Sequence, residues 1–257
     1  MKLEISSNYW TAFAVAAMFI FGFAGAVSAQ DVDFNAMLNR IDELTNFKKG
    51  DFTATLSMVS HDPEAGTKVS KVTHFRRDEQ NKFLVLIQEP EAERGQGTLQ
   101  VDNNVWAYDP QSRQFTHSSL KDSFAGDTHN SDFKKSSYFE DYTVTSGMEG
   151  KLGNFGCWIL TMKGNNDEVT YSSEKMWVSK DTRLPMKVEG YSLTGVLLRT
   201  TYTYSWTKVD DKFYPTKVLY IDALTKSKYT EVTLTNMSRE NLPDDVYTKA
   251  FLERVSH

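Results

Sequence analysis

Phe83-Leu84-Val85-Leu86-Ile87-Gln88 is the stretch on which the fold turns. It is short, rich in branched residues and apolar on both faces, so as a strand it has no wet side. A strand of that kind has to be covered twice. It sits among strands of the other sort. Upstream, Phe52, Ala54, Leu56 and Met58 alternate with Thr53, Thr55 and Ser57, the period of a strand with one buried face. Asp62-Pro63-Glu64-Ala65-Gly66 then makes a turn into a strand near residues 67–75, and the polar Arg77 to Asn81 segment turns the chain into the two-faced strand.

Downstream the same grammar continues. Segments 144–145, 157–162, 175–179, 186–191, 196–206, 213–222 and 229–236 are enriched in Thr, Tyr, Val and Trp, and Gly, Asn and Asp punctuate them at the spacing of an antiparallel meander. Two regions break the pattern. Residues 120–141 form a long polar connection rich in Ser, Asp and Gly, of the length that is functional, helical or mobile in a compact domain. Asn241-Leu242-Pro243-Asp244-Asp245 reads as the opening of a closing helix, with Asn241 as its cap and Val246, Ala250 and Leu252 on its apolar side. At the other end, Phe34, Leu38, Ile41 and Leu44 recur at helical spacing after Asp33, a plausible cap, and before Gly50. No internal repeat, low-complexity tract or linker interrupts the chain. The fold class that follows is mainly β (α+β): one antiparallel sheet of roughly ten strands, too wide to stay flat, curled into an unclosed barrel with helices against its concave side.

The N-terminus bears on where the protein works. Lys2 leads into an uncharged apolar run from Trp10 to Val27 that closes on Val27-Ser28-Ala29, the small-x-small pattern of a signal-peptidase site. Two readings are open, a signal peptide cleaved after Ala29 and a retained anchor; the small residues at the end of the run favour cleavage. Residues 30–257 then form one exported domain. Its single cysteine, Cys157, allows no internal disulfide and, between Phe155 and Trp158, reads as a small buried apolar residue.

The charge excludes one class of partner. A net charge of −5 with scattered Lys and Arg offers no basic patch for nucleic acid. Motifs of catalysis are missing too: there is no Gly-x-Ser-x-Gly elbow, no His-Glu-x-x-His, no phosphate-cradling glycine loop and no paired-cysteine metal site. His117 and Ser118 are adjacent on a strand and point apart. Asp127, His129 and Asp132 are the nearest approach to a metal or acid-base cluster, and a solvated loop explains them better. The chain reads as non-enzymatic, with no metal and no cofactor.

What remains is aromatic. Trp106 and Tyr108 alternate with Val105 and Ala107, Asp109-Pro110-Gln111-Ser112 turns the chain, and Phe115 returns on the next strand. The string DNNVWAYDPQSRQF, Asp102 to Phe115, resembles a hairpin of the LolA-like outer-membrane lipoprotein-sorting family. Further similar segments follow in order: Asn130-Ser131-Asp132-Phe133, MWVSKDTRLPMKVEGY from Met176, DDKFYPTKV from Asp211 and LPDDVYT from Leu242. The resemblance implies a periplasmic carrier: an unclosed antiparallel barrel with a helical lid, enclosing an apolar cavity for acyl chains of lipoproteins or other lipids. It also implies a membrane-protein partner. Leu84, Leu86, Trp106, Tyr108 and Phe115 are the candidate lipid-binding residues. Ordinary core packing accounts for the same five, so they stand as expectations. Two other functions fit less well: a lipid head-group hydrolase using the 127–132 loop, and an envelope-stress sensory module.

Overall fold

The computed structural model describes residues 32–256. The expected signal-peptide segment and its cleavage point after Ala29 lie outside the described residues. From Asp33 onward the chain forms one compact unit. Helix α1, Phe34–Thr45, begins where the spacing placed it: the Asp33 carboxylate accepts from the Ala36 N–H at 2.9 Å, and Met37, Leu38 and Ile41 are buried.

Thirteen strands make one antiparallel sheet. In the first half these are β1 Phe52–Asp62, β2 Gly66–Arg77, β3 Lys82–Glu89, β4 Gly97–Val101, β5 Asn104–Asp109 and β6 Gln114–Ser118. A one-turn helix, α2 (Tyr138–Asp141), precedes β7 Tyr142–Leu152, β8 Phe155–Gly164, β9 Ser173–Ser179 and β10 Pro185–Tyr191. The last are β11 Leu197–Val209, β12 Lys212–Asp222 and β13 Tyr229–Ser238. Every expected strand is present, together with β4, whose five residues carry too short a pattern to stand out. The spatial order runs β6-β5-β4-β3-β2-β1-β13-β12-β11-β10-β9-β8-β7. The chain thus builds outward from β1 to one edge and jumps to the far edge. It then returns strand by strand until β13 closes against β1. Among the described residues β6 and β7 do not pair, so the sheet stays open.

This order explains the long polar segment. Residues 119–141 have to carry the chain from edge strand β6 to edge strand β7, and they do so across one face of the sheet. Phe133, with Leu120 and Phe124 beside it, packs there against Phe52, Leu56, Val72, Phe83, Val85 and Ile87. That face is the inner one. Helix α1 lies over the same side, where Gly147 of β7 admits the Phe34 ring; a Cβ at Gly147 would stand 2.4 Å from it.

The double covering of β3 is borne out. Phe83, Val85 and Ile87 belong to the inner core, and Leu84 and Leu86 pack on the outer face with Leu99, Tyr108, Val246, Tyr247 and Leu252. The cover on that outer side corrects one expectation. The C-terminal helix α3, Lys249–Val255, lies on the outer face, and only α1, α2 and the connection lie inside. Its start differs as well: Thr248 caps it, accepting from the Phe251 N–H at 3.1 Å, while residues 244–247 form a separate 3₁₀ turn. That break shifts the helical phase, leaving Ala250 exposed and turning Phe251 and Leu252 toward the sheet. Cys157 is buried, as read, and burial raises its thiol pKa.

Candidate functional site

Strand register places the sequence-predicted residues without ambiguity. Leu84, Leu99 and Trp106 are successive cross-strand neighbours, and so are Leu86, Gly97, Tyr108 and Phe115. All five candidates therefore share the outer face. The C-terminal segment covers them: the Lys249 ammonium lies 3.0 Å from the centroid of the Trp106 ring, and Leu252 closes over Gly97, whose Cβ would meet it at 3.0 Å. The Tyr108 and Phe115 rings pack with centroids 4.6 Å apart, tilted by 38°. They form one cluster, and none of them lines the cavity on the opposite face.

That cavity has a volume of about 460 Å³. Its floor is the inner face of β10, β11 and β12, with Val188 and Gly190, Arg199, Thr201 and Thr203, and Tyr214, Val218 and Tyr220. Its roof is the edge-to-edge connection with α2, including Leu120, Asp132 and Tyr138, and Ile41 of α1 closes one side. The lining departs from the expected hydrocarbon wall. Tyrosines and hydroxyl side chains share it with apolar ones, and two buried arginines stand in it, each already paired. Arg76 pairs with Asp78 at 2.6 Å and lies 5.0 Å from the Tyr214 ring centroid. Arg199 holds Asp132 through both terminal nitrogens at 2.8 Å, its guanidinium 5.3 Å from Tyr171 and 4.7 Å from Tyr220. Paired guanidinium groups stacked on rings present a wall that is polarisable but carries no net charge.

Beside the Phe133 core the roof is also pinned by polar contacts. His74 donates from Nε2 to the Phe133 carbonyl at 2.9 Å, while its Nδ1 lies 3.2 Å from the Tyr214 hydroxyl. Burial, reinforced by the Arg76 charge, drives the His74 pKa down to about 3, so the ring is neutral. Asp42 of α1 accepts from the amides of Tyr138 and Phe139 at 3.1 and 2.9 Å.

The loop triad Asp127, His129 and Asp132 is brought close together, but each member has a structural partner. Asp127 exchanges hydrogen bonds with Thr230, at 2.9 Å from its amide and 3.0 Å to its carboxylate. His129 Nδ1 lies 3.2 Å from the Tyr171 hydroxyl, and Asp132 is engaged by Arg199. Among the described residues no group of three or more His, Cys, Asp or Glu is disposed to hold a metal ion.

One inward row was not anticipated. Glu174, Gly190 and Arg199 are direct neighbours across β9, β10 and β11. Glu174 is 6% exposed; its Oε1 accepts from Tyr142 at 3.2 Å, and burial raises its pKa to about 7. The signal was available: Glu174 precedes Met176 and Val178 at the same parity, which puts a carboxyl among inward apolar positions.

Several solved structures share this architecture. A LolA superfamily protein from Nitrosomonas europaea superposes with a TM-score of 0.74 at 24% identity, covering 84% of this chain and 97% of its own. A domain from Vibrio parahaemolyticus, named for outer membrane lipoprotein sorting, gives 0.74 at 19% identity over 86% and 98%. A DUF1329 family protein from Desulfovibrio piger gives 0.74 at 18% identity over 85% and 97%. No curated protein matches the sequence. Residues 79–254 match a family model described as uncharacterized-protein-like. The chain belongs to that family, and the fold on which it is built is the LolA-like one.

Proposed function

We propose that the protein is a periplasmic carrier that shelters the acyl part of a lipoprotein or another lipid in the inner cavity, delivered to its compartment by cleavage after Ala29 and serving outer-membrane lipoprotein sorting. One observation carries the reading: a cavity of about 460 Å³ on the inner face of an open sheet, roofed by a connection seated on Phe133 and tied by polar contacts to His74 and Arg199. That volume is of the size that takes small amphiphiles. The name of the Vibrio parahaemolyticus domain agrees with it. No helix of the described residues is long and apolar enough to cross a membrane.

The physical need is plain. At about 0.8 kcal/mol per methylene, a sixteen-carbon chain resists entering water by roughly 12 kcal/mol, and a cavity removes most of that barrier. Neutralised arginines and tyrosines suit such cargo, because they tolerate ester or amide groups near the chain without demanding a charge.

Native mass spectrometry of the gently purified mature protein is expected to show a bound lipid, and the stripped protein should take up a dansyl-labelled undecanoate. Thr201→Trp puts an indole on the cavity floor and should weaken that uptake about tenfold or more, with an unchanged melting curve. Trp106→Leu, on the opposite face, reports on the outer cluster: loss of uptake there would assign Leu84, Leu86, Trp106, Tyr108 and Phe115 to the site. A parent protein that carries no lipid and takes up no probe refutes the carrier.

A further inference from the structure

Two complementary groups in the inward row are left without partners. The Nε–H of Arg199 and the Oε2 of Glu174 are both buried and make no hydrogen bond among the described residues. They flank Gly190, one strand to either side. Neighbouring strands stand about 4.8 Å apart, so the two Cα atoms are separated by roughly 10 Å, a span that a Glu and an Arg side chain bridge together. The Tyr171 ring occupies the space between. It lies flat on Gly190, within 2.5 Å of where a Cβ would be, and 5.3 Å from the guanidinium. Arg199 meanwhile spends its terminal nitrogens on the roof: both hold Asp132, and Nη1 also reaches the Asp127 carbonyl at 3.2 Å and lies 3.3 Å from His129 Nδ1, whose pKa burial and the Arg199 charge lower.

We propose that Arg199 is the latch of the connection over the cavity and that Glu174 is its second seat: when the roof opens, the guanidinium leaves Asp132 and pairs with Glu174, the Tyr171 ring moving off Gly190. The latch gains its purpose from the carrier reading; the exchange of partners does not depend on it.

The groups around Glu174 favour this arrangement. Tyr142 from β7, Tyr138 and Asp141 from α2, Asp132 from the roof and Arg199 from β11 all act on it. With Arg199 committed to Asp132, desolvation first and the nearby Asp141 and Asp132 carboxylates next outweigh the Tyr142 bond and the more distant pull of the Arg199 charge, and keep Glu174 protonated up to about pH 7. Pairing with Arg199 stabilises its carboxylate, so opening releases one proton from Glu174 to water. The open state therefore gains as pH rises toward 7, by about tenfold per pH unit from Glu174 and less below 6.5, where His129, freed of the Arg199 charge, takes up a proton; the gain levels off above 7.

Amide hydrogen exchange on the full mature protein tests the exchange of partners. The amide of Asp127 serves as reporter, since it donates across to Thr230 of β13 and loses protection when the roof lifts. Protection factors, which correct for intrinsic pH effects, are expected to fall by about tenfold or more between pH 5.5 and 7.5, while those of β1 stay constant. Glu174→Gln should abolish that fall and hold the roof closed at both pH values. Asp132→Asn should leave it open at both. A Glu174→Gln protein with the parent's pH dependence, a parent with none, or an Asp132→Asn protein as protected as the parent overturns the latch. Stopped-flow uptake of dansyl undecanoate should follow the same pattern. If no variant and no parent takes up the probe, the carrier fails while exchange still decides the latch.

Discussion

Arg77→Met is expected to destabilise the protein by about 3–5 kcal/mol, the cost of leaving a buried carboxylate without its cation. Asp51, 1% exposed, is that carboxylate. It accepts from Arg77 Nε and Nη2 at 2.6 and 2.9 Å, from the Leu242 amide at 2.6 Å and from the Tyr247 hydroxyl at 3.1 Å. Burial raises the Asp51 pKa, but these bonds outweigh it and leave the pKa below the usual carboxylate range. Arg77 also bonds the Leu242 carbonyl at 2.7 Å, pairs with Asp244 and lies 4.8 Å from the Tyr247 ring centroid. Three distant pieces of chain meet here: the segment after α1, the end of β2 and the C-terminal strap. In a domain of this size the loss corresponds to a melting temperature lower by roughly 10 °C. The double variant Asp51→Leu/Arg77→Met should cost less than Arg77→Met alone, because no charge is then stranded. A single variant within about 1 kcal/mol of the parent would sink the argument.

The strand plan was readable because it is written locally. Alternation at Phe52 to Met58 fixes which side of β1 is buried, and all four apolar residues are buried there. The two-faced run at Phe83 to Ile87 demands two covers and has them. What no local pattern carries is which of those covers is the cavity side. Both faces of β3 are apolar, so the parity that groups Trp106 and Tyr108 with Leu84 and Leu86 is right and yet silent about inside and outside. The route of residues 119–141 from β6 to β7 decides that, and it depends on the order of thirteen strands. The cavity chemistry was hidden for a related reason. Arg76 and Arg199 look like ordinary strand charges until Asp78 and Asp132, one near in sequence and one remote, are seen to neutralise them. The helix phase at residues 244–252 failed on a smaller point: Asn241 and Thr248 are both good caps, and only packing against Gly97 selects the second.

The contributions of His74 and Glu174 to stability are expected to cancel between about pH 4.5 and 6.5. His74 has its folded pKa depressed from 6.5 to about 3. A base that binds its proton less readily when folded gives stability that is full above 6.5 and is lost as pH falls toward 3, at about 1.4 kcal/mol per unit. Glu174 has its folded pKa raised from 4.5 to about 7. An acid that holds its proton more tightly when folded gives stability that is full below 4.5 and is lost as pH rises toward 7, at the same slope with the opposite sign. Their windows overlap between 4.5 and 6.5, so each conceals the other. Removing either one exposes its counterpart. Urea midpoints of Glu174→Gln should rise with pH across that window, because His74 then acts without its counterpart and His129, also depressed by burial, acts in the same sense. Those of His74→Gln should fall, even though this variant starts lower for losing its fitted bonds to Phe133 and Tyr214. The two slopes are expected to differ by about 3 kcal/mol per pH unit. Parallel pH profiles for the two variants would show that neither side chain titrates as its surroundings require.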